Sequence, residues 1–395
     1  MKIAVDLTSL SGNLSGLERY AANITDSMIR LSRNSKCHGR IEWILVVRNS
    51  VPLFVKRLKD KLHGDIRVVM VKGGKLFINQ LKLPAVMKGI KADVYLFPSF
   101  PVPLLSGKKK DKRIYGLIAD TAVFDVPETM KFRSRLLFGM GLRHTAAVSD
   151  GIITISEFSA SRIRSNLKPK GKILFAPCAA DDIPGGDQKP ERDSGRFREK
   201  YDLPERYILA FSTLEPRKNT GLIAEAYGSL IKGSGEVGIP PLVLAGRNGW
   251  KMKEEMERIC GELGERVLVP GFIDDEDIDE LYAHADIFID ASVYEGFDMP
   301  PLEAMKCNVK NIIISDIPVH HEVFGDAVLY FKSGDETELA GLMRKCILED
   351  EDIVYGDAKT LSERYSRDKR MDILEGYSWD KSAAVILDEL MGEVL

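Results

Sequence analysis

Short apolar runs alternate with stretches of helical spacing along most of the chain. In the first half the runs are "KIAV", "EWILVV", "IRVVMV", "DVYLF", "IYGLI", "GIITI" and "KILFA". Each is four to six residues long and rich in Ile and Val. Their apolar positions are continuous rather than alternating, which predicts strands covered on both faces, as in a parallel sheet. The segments between them, such as 17–32 and 157–166, carry apolar residues at helical spacing. This βα alternation predicts a doubly wound α/β fold.

The pattern breaks at 183–205, "IPGGDQKPERDSGRFREKYDLPE", a polar stretch with paired glycines and prolines that reads as a linker. The alternation then restarts with "YILAFS", "PLVLAG", "RVLVPG", "IFIDAS", "NIIIS" and "AVLYF". Two Rossmann-like domains in series are predicted, over 1–182 and 206–377, with a long helical tail from about 335 to 395. Ligands bind at the carboxyl ends of such sheets, so a cleft between the two domains is the expected active site.

Composition changes this picture little. At 395 residues the chain is too long for one ordinary core. Hydrophobic residues make up 44% and charged residues 29%, the balance of a folded protein. A net charge of -3 gives no reason to propose nucleic acid as a partner. The five cysteines are scattered without a CxxC pair, which predicts reduced, mostly buried thiols in a cytosolic protein. "MKIAVDLTSL" does not read as a signal peptide, because Asp6 interrupts the apolar run. No apolar stretch approaches the roughly 20 residues of a membrane span.

Candidate chemistry centres on "YEGFDMPPLE", 294–303. A strand runs into a turn, Pro300 and Pro301 suit a first helical turn, and Glu303 falls at about the third helical position. The helix start offers free N–H groups and a positive dipole end, suited to phosphate. Glu295 stands across the same turn, and the backbone of Gly296 to Met299 is free to approach a ligand. Two carboxylates beside an anion site suit a sugar nucleotide; taken singly, Glu303 reads better as a capping carboxylate and Glu295 as a solvated turn residue.

Three further loops follow strands. "FSTLEPRKN" places Arg217 and Lys218 together at the head of a helix, where two fixed cations can neutralise a leaving diphosphate without a metal. "SLSGNLSGLERY" carries Gly12 and Gly16 but no GxGxxG, so it gives no reading of NAD binding. In "GLIADTAVFDVPE", Asp120 lies just past a strand end, where it orients a sugar hydroxyl or caps the next helix. The acidic run "DDEDIDE", 274–280, suits a helix's first turn better than a metal. His320 and His321 are consecutive, so on a helix they point apart and make a poor ligand pair.

Taken together, these residues resemble the GT-B-fold glycosyltransferases, specifically glycosyltransferase family 4. "YEGFDMPPLEAM" looks like that family's E-x7-E signature, with Glu295 and Glu303 as the pair. "LEPRKN" resembles its diphosphate-binding Arg-Lys, "SGLERY" its N-terminal glycine loop with Gly16, and "GIITISEFS" the segment ending its first domain. "LVLAGRNGW" and "VLVPGFIDDEDIDELYAHADIFIDAS" are similar to the run leading to the signature, and "YSWDKSAA" to the closing helix, here about 378–395, that returns to the N-terminal domain.

The resemblance implies an N-terminal acceptor domain, a C-terminal donor domain, and retaining, metal-independent transfer without a cofactor. It implies that Arg217 and Lys218 hold the diphosphate, Glu303 the ribose, and Glu295 the donor sugar. Phe272 and Ile273 lie where the family holds the base; Phe297, Asp298 and Met299 line the donor loop. With Asp120, residues Glu295, Arg217 and Lys218 form the expected catalytic set. No nucleophile is evident on the far face of the sugar, which favours front-face transfer with the leaving phosphate helping to take the acceptor's proton.

The donor expected from the C-terminal half is GDP-mannose, with UDP- and dTDP-sugars open as alternatives, and the acceptor a glycan or lipid-linked acceptor in polysaccharide assembly. The basic stretches "GKKKDKR", 107–113, and "KFRSRLLFGMGLRH", 131–144, suit peripheral contact with an anionic membrane, hence the inner face of the cytoplasmic membrane; a solvated loop and an ordinary amphipathic helix explain them as well. Three stretches depart from the family. Ala119 stands where His usually precedes Asp120, pointing to a slow enzyme, an altered donor mode, an engineered change, or a non-catalytic relative that binds sugar nucleotide or a partner enzyme. Asp298 replaces a frequent Gly, and "CNVKNIII" replaces the usual Gly-x-Pro with Asn308 and Lys310.

Overall fold

The computed structural model describes residues 1–10, 14–34, 41–61, 66–74, 82–107, 111–183, 194–234, 238–247, 249–348 and 367–392. Gly12 and residues 108–110 of the basic stretch 107–113 fall outside these residues. Every predicted strand is present, in two all-parallel sheets. The first contains β1 (Lys2–Leu7), β2 (Glu42–Arg48), β3 (Ile66–Val71), β4 (Val94–Phe97), β5 (Arg113–Leu117), β6 (Gly151–Thr154) and β7 (Lys172–Phe175), in the order β3-β2-β1-β4-β5-β6-β7. The second contains β8 (Tyr207–Phe211), β9 (Leu242–Ala245), β10 (Val267–Gly271), β11 (Ala285–Asp290), β12 (Asn311–Asp316) and β13 (Leu329–Lys332), in the order β10-β9-β8-β11-β12-β13. Strand direction of growth reverses between β1 and β4 in one sheet and between β8 and β11 in the other. Such a reversal opens a crevice at the strands' carboxyl ends.

The central strands are buried through their middles, as their apolar runs require: Ile3 to Val5, Ile208, Leu209 and Ile312 to Ile314 are fully enclosed. Helix Thr220–Ser234 packs Ala226, Tyr227 and Leu230 onto the second sheet beside Leu339 and Met343 of helix Glu336–Leu348.

The chain divides into two compact units: Met1–Pro127 with Phe132–Cys178 and Tyr377–Leu395, and Glu128–Lys131 with Ala179–Gly376. Part of the predicted linker is structured. Helix Ser194–Tyr201 belongs to the second unit, because Phe197, 4% exposed, stacks on His284 and touches Tyr201; residues 184–193 of that stretch lie outside the described residues. Within the predicted helical tail, the described residues form helices Glu336–Leu348, Arg367–Gly376 and Trp379–Met391, the last two parted at Tyr377 and Ser378; residues 349–366 lie outside the described residues. Cys178, Cys307 and Cys346 are buried free thiols, whereas Cys260 is exposed; Cys37 lies outside the described residues. Among those residues no helix is long and apolar enough to cross a membrane.

Candidate functional site

The second unit gathers its charged residues where β8 and β11 meet. After β8, the chain is pinned to the loop after β9: Leu214 N–H donates to Arg247 O at 2.8 Å, and Gly249 N–H to Leu214 O at 2.8 Å. Only glycine fits at 246, where φ is +128° and a Cβ would lie 1.8 Å from Ser212 O. Pro216 then opens a single 3₁₀ turn, Pro216–Lys218, that presents both cations. Val293 N–H donates to Arg217 O at 2.9 Å, and the Arg217 guanidinium to Tyr294 O at 2.9 Å, so the loops after β8 and β11 are tied together.

Beyond Asp290 the chain turns through 291–298 into helix Met299–Lys306, with both prolines in its first turn. Asp298 is the N-cap and takes a left-handed conformation, φ 75°, costly for a residue with a side chain. The helix begins at Met299, so Glu303 is its fifth residue rather than about its third. Glu303 is 1% exposed, and its Oε2 accepts from the Tyr282 hydroxyl at 2.8 Å. Glu295 is not a solvated turn residue, being 7% exposed.

The electrostatics are dense. Lys218 Nζ lies 3.0 Å from Asp290 Oδ2, 2.9 Å from Glu295 Oε1 and 2.8 Å from Asp298 Oδ1. Arg217 bridges Glu295 Oε2 at 2.7 Å and Glu215 Oε1 at 2.9 Å. Glu295 thus sits between both cations, though its Oε1 makes ionic contact with Lys218 without hydrogen-bond alignment. Burial alone would raise the Glu295 carboxyl, but Arg217 and Lys218 hold it below the usual range. Asp290 is likewise held low against its burial by Lys218. Burial would discharge Lys218, yet its three carboxylates keep it firmly protonated. Burial, reinforced by Asp290, instead pushes Asp298 up. Asp290, Asp298 and His320 bring three potential ligand atoms within 4.8 Å of one another. The Lys218 ammonium already touches both of those carboxylates and serves as their cation.

The remaining expected residues fall in several places. Phe297 is buried and Met299 half-buried in the same loop and helix start. Phe272 lies after β10 with the Arg247 guanidinium 4.7 Å over its ring, and Ile273 is buried. Gly16 and Asp120 belong to the first unit. Gly16 opens helix Gly16–Asn34, where the Glu18 carboxylate accepts from Ser15 N–H at 2.8 Å. Asp120 Oδ1 accepts from Ala122 N–H at 2.9 Å at the start of helix Ala122–Asp125, as a capping residue does; Ala119 beside it is half-buried. In the acidic run, Asp274 and Asp277 bind Lys200 at 2.7 and 2.6 Å ahead of helix Ile278–Ala283, rather than all lying in one first turn.

Sequence reasoning missed Asp290, Glu215 and His320. An acid closing the apolar strand "IFID" was a usable signal. His320 and His321 do point apart, but this carries His320 inward, 0% exposed and 3.1 Å from Asp298, while His321 pairs with Asp316 in solvent.

The family described as glycosyl transferases group 1 matches residues 191–364. O-antigen chain mannosyltransferase B of Escherichia coli is 30% identical over 272 residues, 67% of this chain and 68% of the relative. The serotype-specific mannosyltransferase WbdA of Escherichia coli is 28% identical over 207 residues, 51% of this chain but only 25% of WbdA. Among solved structures, sucrose-phosphate synthase from Thermosynechococcus elongatus superposes with TM-score 0.70 at 16% identity, covering 99% of this chain and 98% of its own. Anabaena HepE in complex with UDP-glucose gives 0.68 at 15% identity, over 99% and 100%. Both share the fold of two Rossmann-like halves.

Proposed function

The chain belongs to glycosyl transferases group 1 and is a glycosyltransferase of GT-B fold; from that premise we propose that it moves mannose, with retention, from GDP-mannose to a glycan or lipid-linked acceptor in polysaccharide assembly. One observation carries the reading. Two cations, Arg217 and Lys218, meet Glu295 where the second sheet reverses, at the carboxyl ends of β8 and β11. A nucleotide diphosphate needs fixed positive charge there, and the transferred sugar needs a carboxylate beside it. Mannosyl transfer is favoured because the relatives named above are mannosyltransferases.

In this reading the second unit binds the donor and the first takes the acceptor. Arg217 and Lys218 supply the charge opposite the diphosphate, with no metal required of the mechanism. Glu295 faces the sugar, Glu303 the ribose, and Phe272 and Ile273 the base. Asp120 orients the acceptor side, and Gly16 leaves room for the donor. The departing phosphate helps take the acceptor's proton on the face it leaves. Peripheral contact with the inner face of the cytoplasmic membrane is part of the proposal and rests on the exposed helix Phe132–Val148.

A second reading, a relative impaired in catalysis, is favoured by Ala119 alone. Nucleotide release from a panel of GDP-, UDP- and dTDP-sugars separates the two. Turnover with GDP-mannose above the others supports the first. Binding without turnover by any donor supports the second, and a sharp rise in Ala119→His would assign the impairment to that position.

A further inference from the structure

His320 Nδ1 lies 2.8 Å from the main-chain oxygen of Ser315. A carbonyl oxygen only accepts, so Nδ1 carries the hydrogen. The opposite nitrogen, Nε2, lies 3.1 Å from Asp298 Oδ2. A bare Nε2 and an ionised carboxylate are both acceptors. Facing each other at 0% and 5% exposure, they would set lone pair against lone pair away from water. One proton therefore lies between them. Whether it sits on the imidazole or on the carboxyl, the pair as a whole is neutral.

Charged and titratable groups approach this pair from several elements. Asp298 Oδ1 accepts from Lys218 Nζ at 2.8 Å, so the proton is one carboxyl group away from that ammonium. Asp290 lies across Lys218 at the end of β11, with Glu295 beside it and Arg217 beyond. From β12, the Ser315 hydroxyl donates to Ser292 O at 2.6 Å and lies 3.5 Å from Nδ1. On the histidine's own helix, Pro318–Phe324, the Phe324 ring meets the imidazole edge-on at 5.9 Å, and His321 turns away to Asp316. The Tyr330 hydroxyl of β13 donates to the His320 main-chain oxygen at 3.1 Å.

The charge count then matters. Arg217 and Lys218 bring two positive charges; Glu215, Asp290 and Glu295 bring three negative ones. The Asp298–His320 pair adds nothing with its proton and one further negative charge without it. We propose that the Asp298–His320 pair retains one proton beneath the donor site and thereby keeps Lys218 poised for a nucleoside diphosphate, which makes His320 a positioning residue for donor binding. This deepens the donor-site reading above and rests on it. The direction of titration agrees. Burial opposes a charge on His320, yet the hydrogen bond to Asp298 raises it above the ordinary imidazole value of 6.5; burial raises Asp298 as well. Nucleotide affinity is thus full while the pair is protonated and falls as pH rises above 6.5.

The test measures GDP and UDP affinity by calorimetry from pH 6 to 9 on the full chain, with unfolding midpoints taken in parallel as a folding control. Wild type should lose about tenfold in affinity across the alkaline part of the range, the scale of one added unit charge nearby. Asp298→Asn keeps the acceptor for Lys218 and a donor for Nε2 but cannot ionise, so its profile should be flat. His320→Gln cannot hold the proton and should bind as weakly at pH 6.5 as wild type does at pH 9. Nitrogen-15 NMR of labelled histidines, with His320→Gln giving the assignment, should show hydrogen on Nδ1 throughout. A flat wild-type profile, wild-type behaviour in His320→Gln, or a bare Nδ1 would each overturn the proposal. Arg217→Ala separates the layers. If it weakens nucleotide binding while the other variants leave the profile alone, the proton pair alone is wrong. If it leaves affinity unchanged, the donor-site reading fails and the pair's role fails with it.

Discussion

Glu295 stands in ionic contact with both Arg217 and Lys218, at 2.7 and 2.9 Å, and so occupies the charge that a diphosphate needs. Neutralising it frees those cations while removing the carboxylate proposed to face the sugar. Glu295→Gln should therefore bind GDP at least as tightly as wild type, yet turn over about a hundredfold more slowly, the scale of one lost transition-state contact. Calorimetry against initial rates checks this; parallel losses in both would remove Glu295 from the sugar-facing role. Asp6, in β1, gives a prediction on stability. It is 1% exposed, and burial pushes its carboxyl from 3.8 up to about 6, against the pull of Thr8, whose N–H donates to Oδ1 at 3.0 Å. The folded state then binds the proton more tightly than the unfolded one. The contribution of Asp6 to stability is full below pH 3.8 and declines as pH rises towards 6, by about 3 kcal/mol in all. Asp6→Asn keeps the acceptor and cannot ionise, so its melting temperature should match wild type at pH 4 and exceed it at pH 8. No gain at pH 8 would mean that the carboxyl is not buried as charge.

Among the elements, strands were the most legible part of the sequence. A parallel strand buried on both faces must be continuously apolar, and "NIIIS" or "EWILVV" has few other uses in a folded chain. The site was legible only where it is local. Glu295 and Glu303 share one turn and helix start, and Arg217 and Lys218 one 3₁₀ turn. Asp290 and His320 join them because β11 lies between β8 and β12, a pairing that no local window contains. Helix Phe132–Val148 is an element whose sequence and surface agree. Phe132, Leu136 and Met140, spaced four apart, are 75%, 56% and 42% exposed. Arg133, Arg135 and Arg143 accompany them, with no acid on the helix. A cavity of about 280 Å³ opens between Phe132, Leu136 and Gly139 on one side and Val123 and Phe124 on the other. Apolar side chains ringed by arginine suit the interface of an anionic bilayer. The protein should sediment with phosphatidylglycerol vesicles but not with phosphatidylcholine vesicles, and Phe132→Ser with Leu136→Ser should abolish this. Equal sedimentation by the double variant would place the contact elsewhere.

At the scale of the whole molecule, the chain leaves its first unit near Cys178 and comes back to it at Tyr377. Helix Trp379–Met391 makes the return: Trp379, Ala383, Ile386, Leu387 and Leu390 form its buried face. Trp379 meets Tyr20 edge to face at 5.7 Å, the Ser382 hydroxyl donates to Pro177 O at 2.7 Å, and the Arg113 guanidinium donates to Leu390 O at 2.7 Å. Arg30 and Asp380 add an ion pair, half-exposed and worth little by itself. Helix Trp379–Met391 thus completes the core of the first unit, which depends on chain that follows the second. Removing the Trp379 ring leaves a cavity against Tyr20, at a cost of about 3–5 kcal/mol for a buried aromatic. In Trp379→Ala, hydrogen exchange should quicken in peptides from β1 to β7 while those from β8 to β13 keep their protection, because Tyr20, the ring's partner, belongs to the first unit. An equal rise in both sets would mean that the two units open as one cooperative body, and that the returning helix stabilises the entire chain rather than the unit it packs upon.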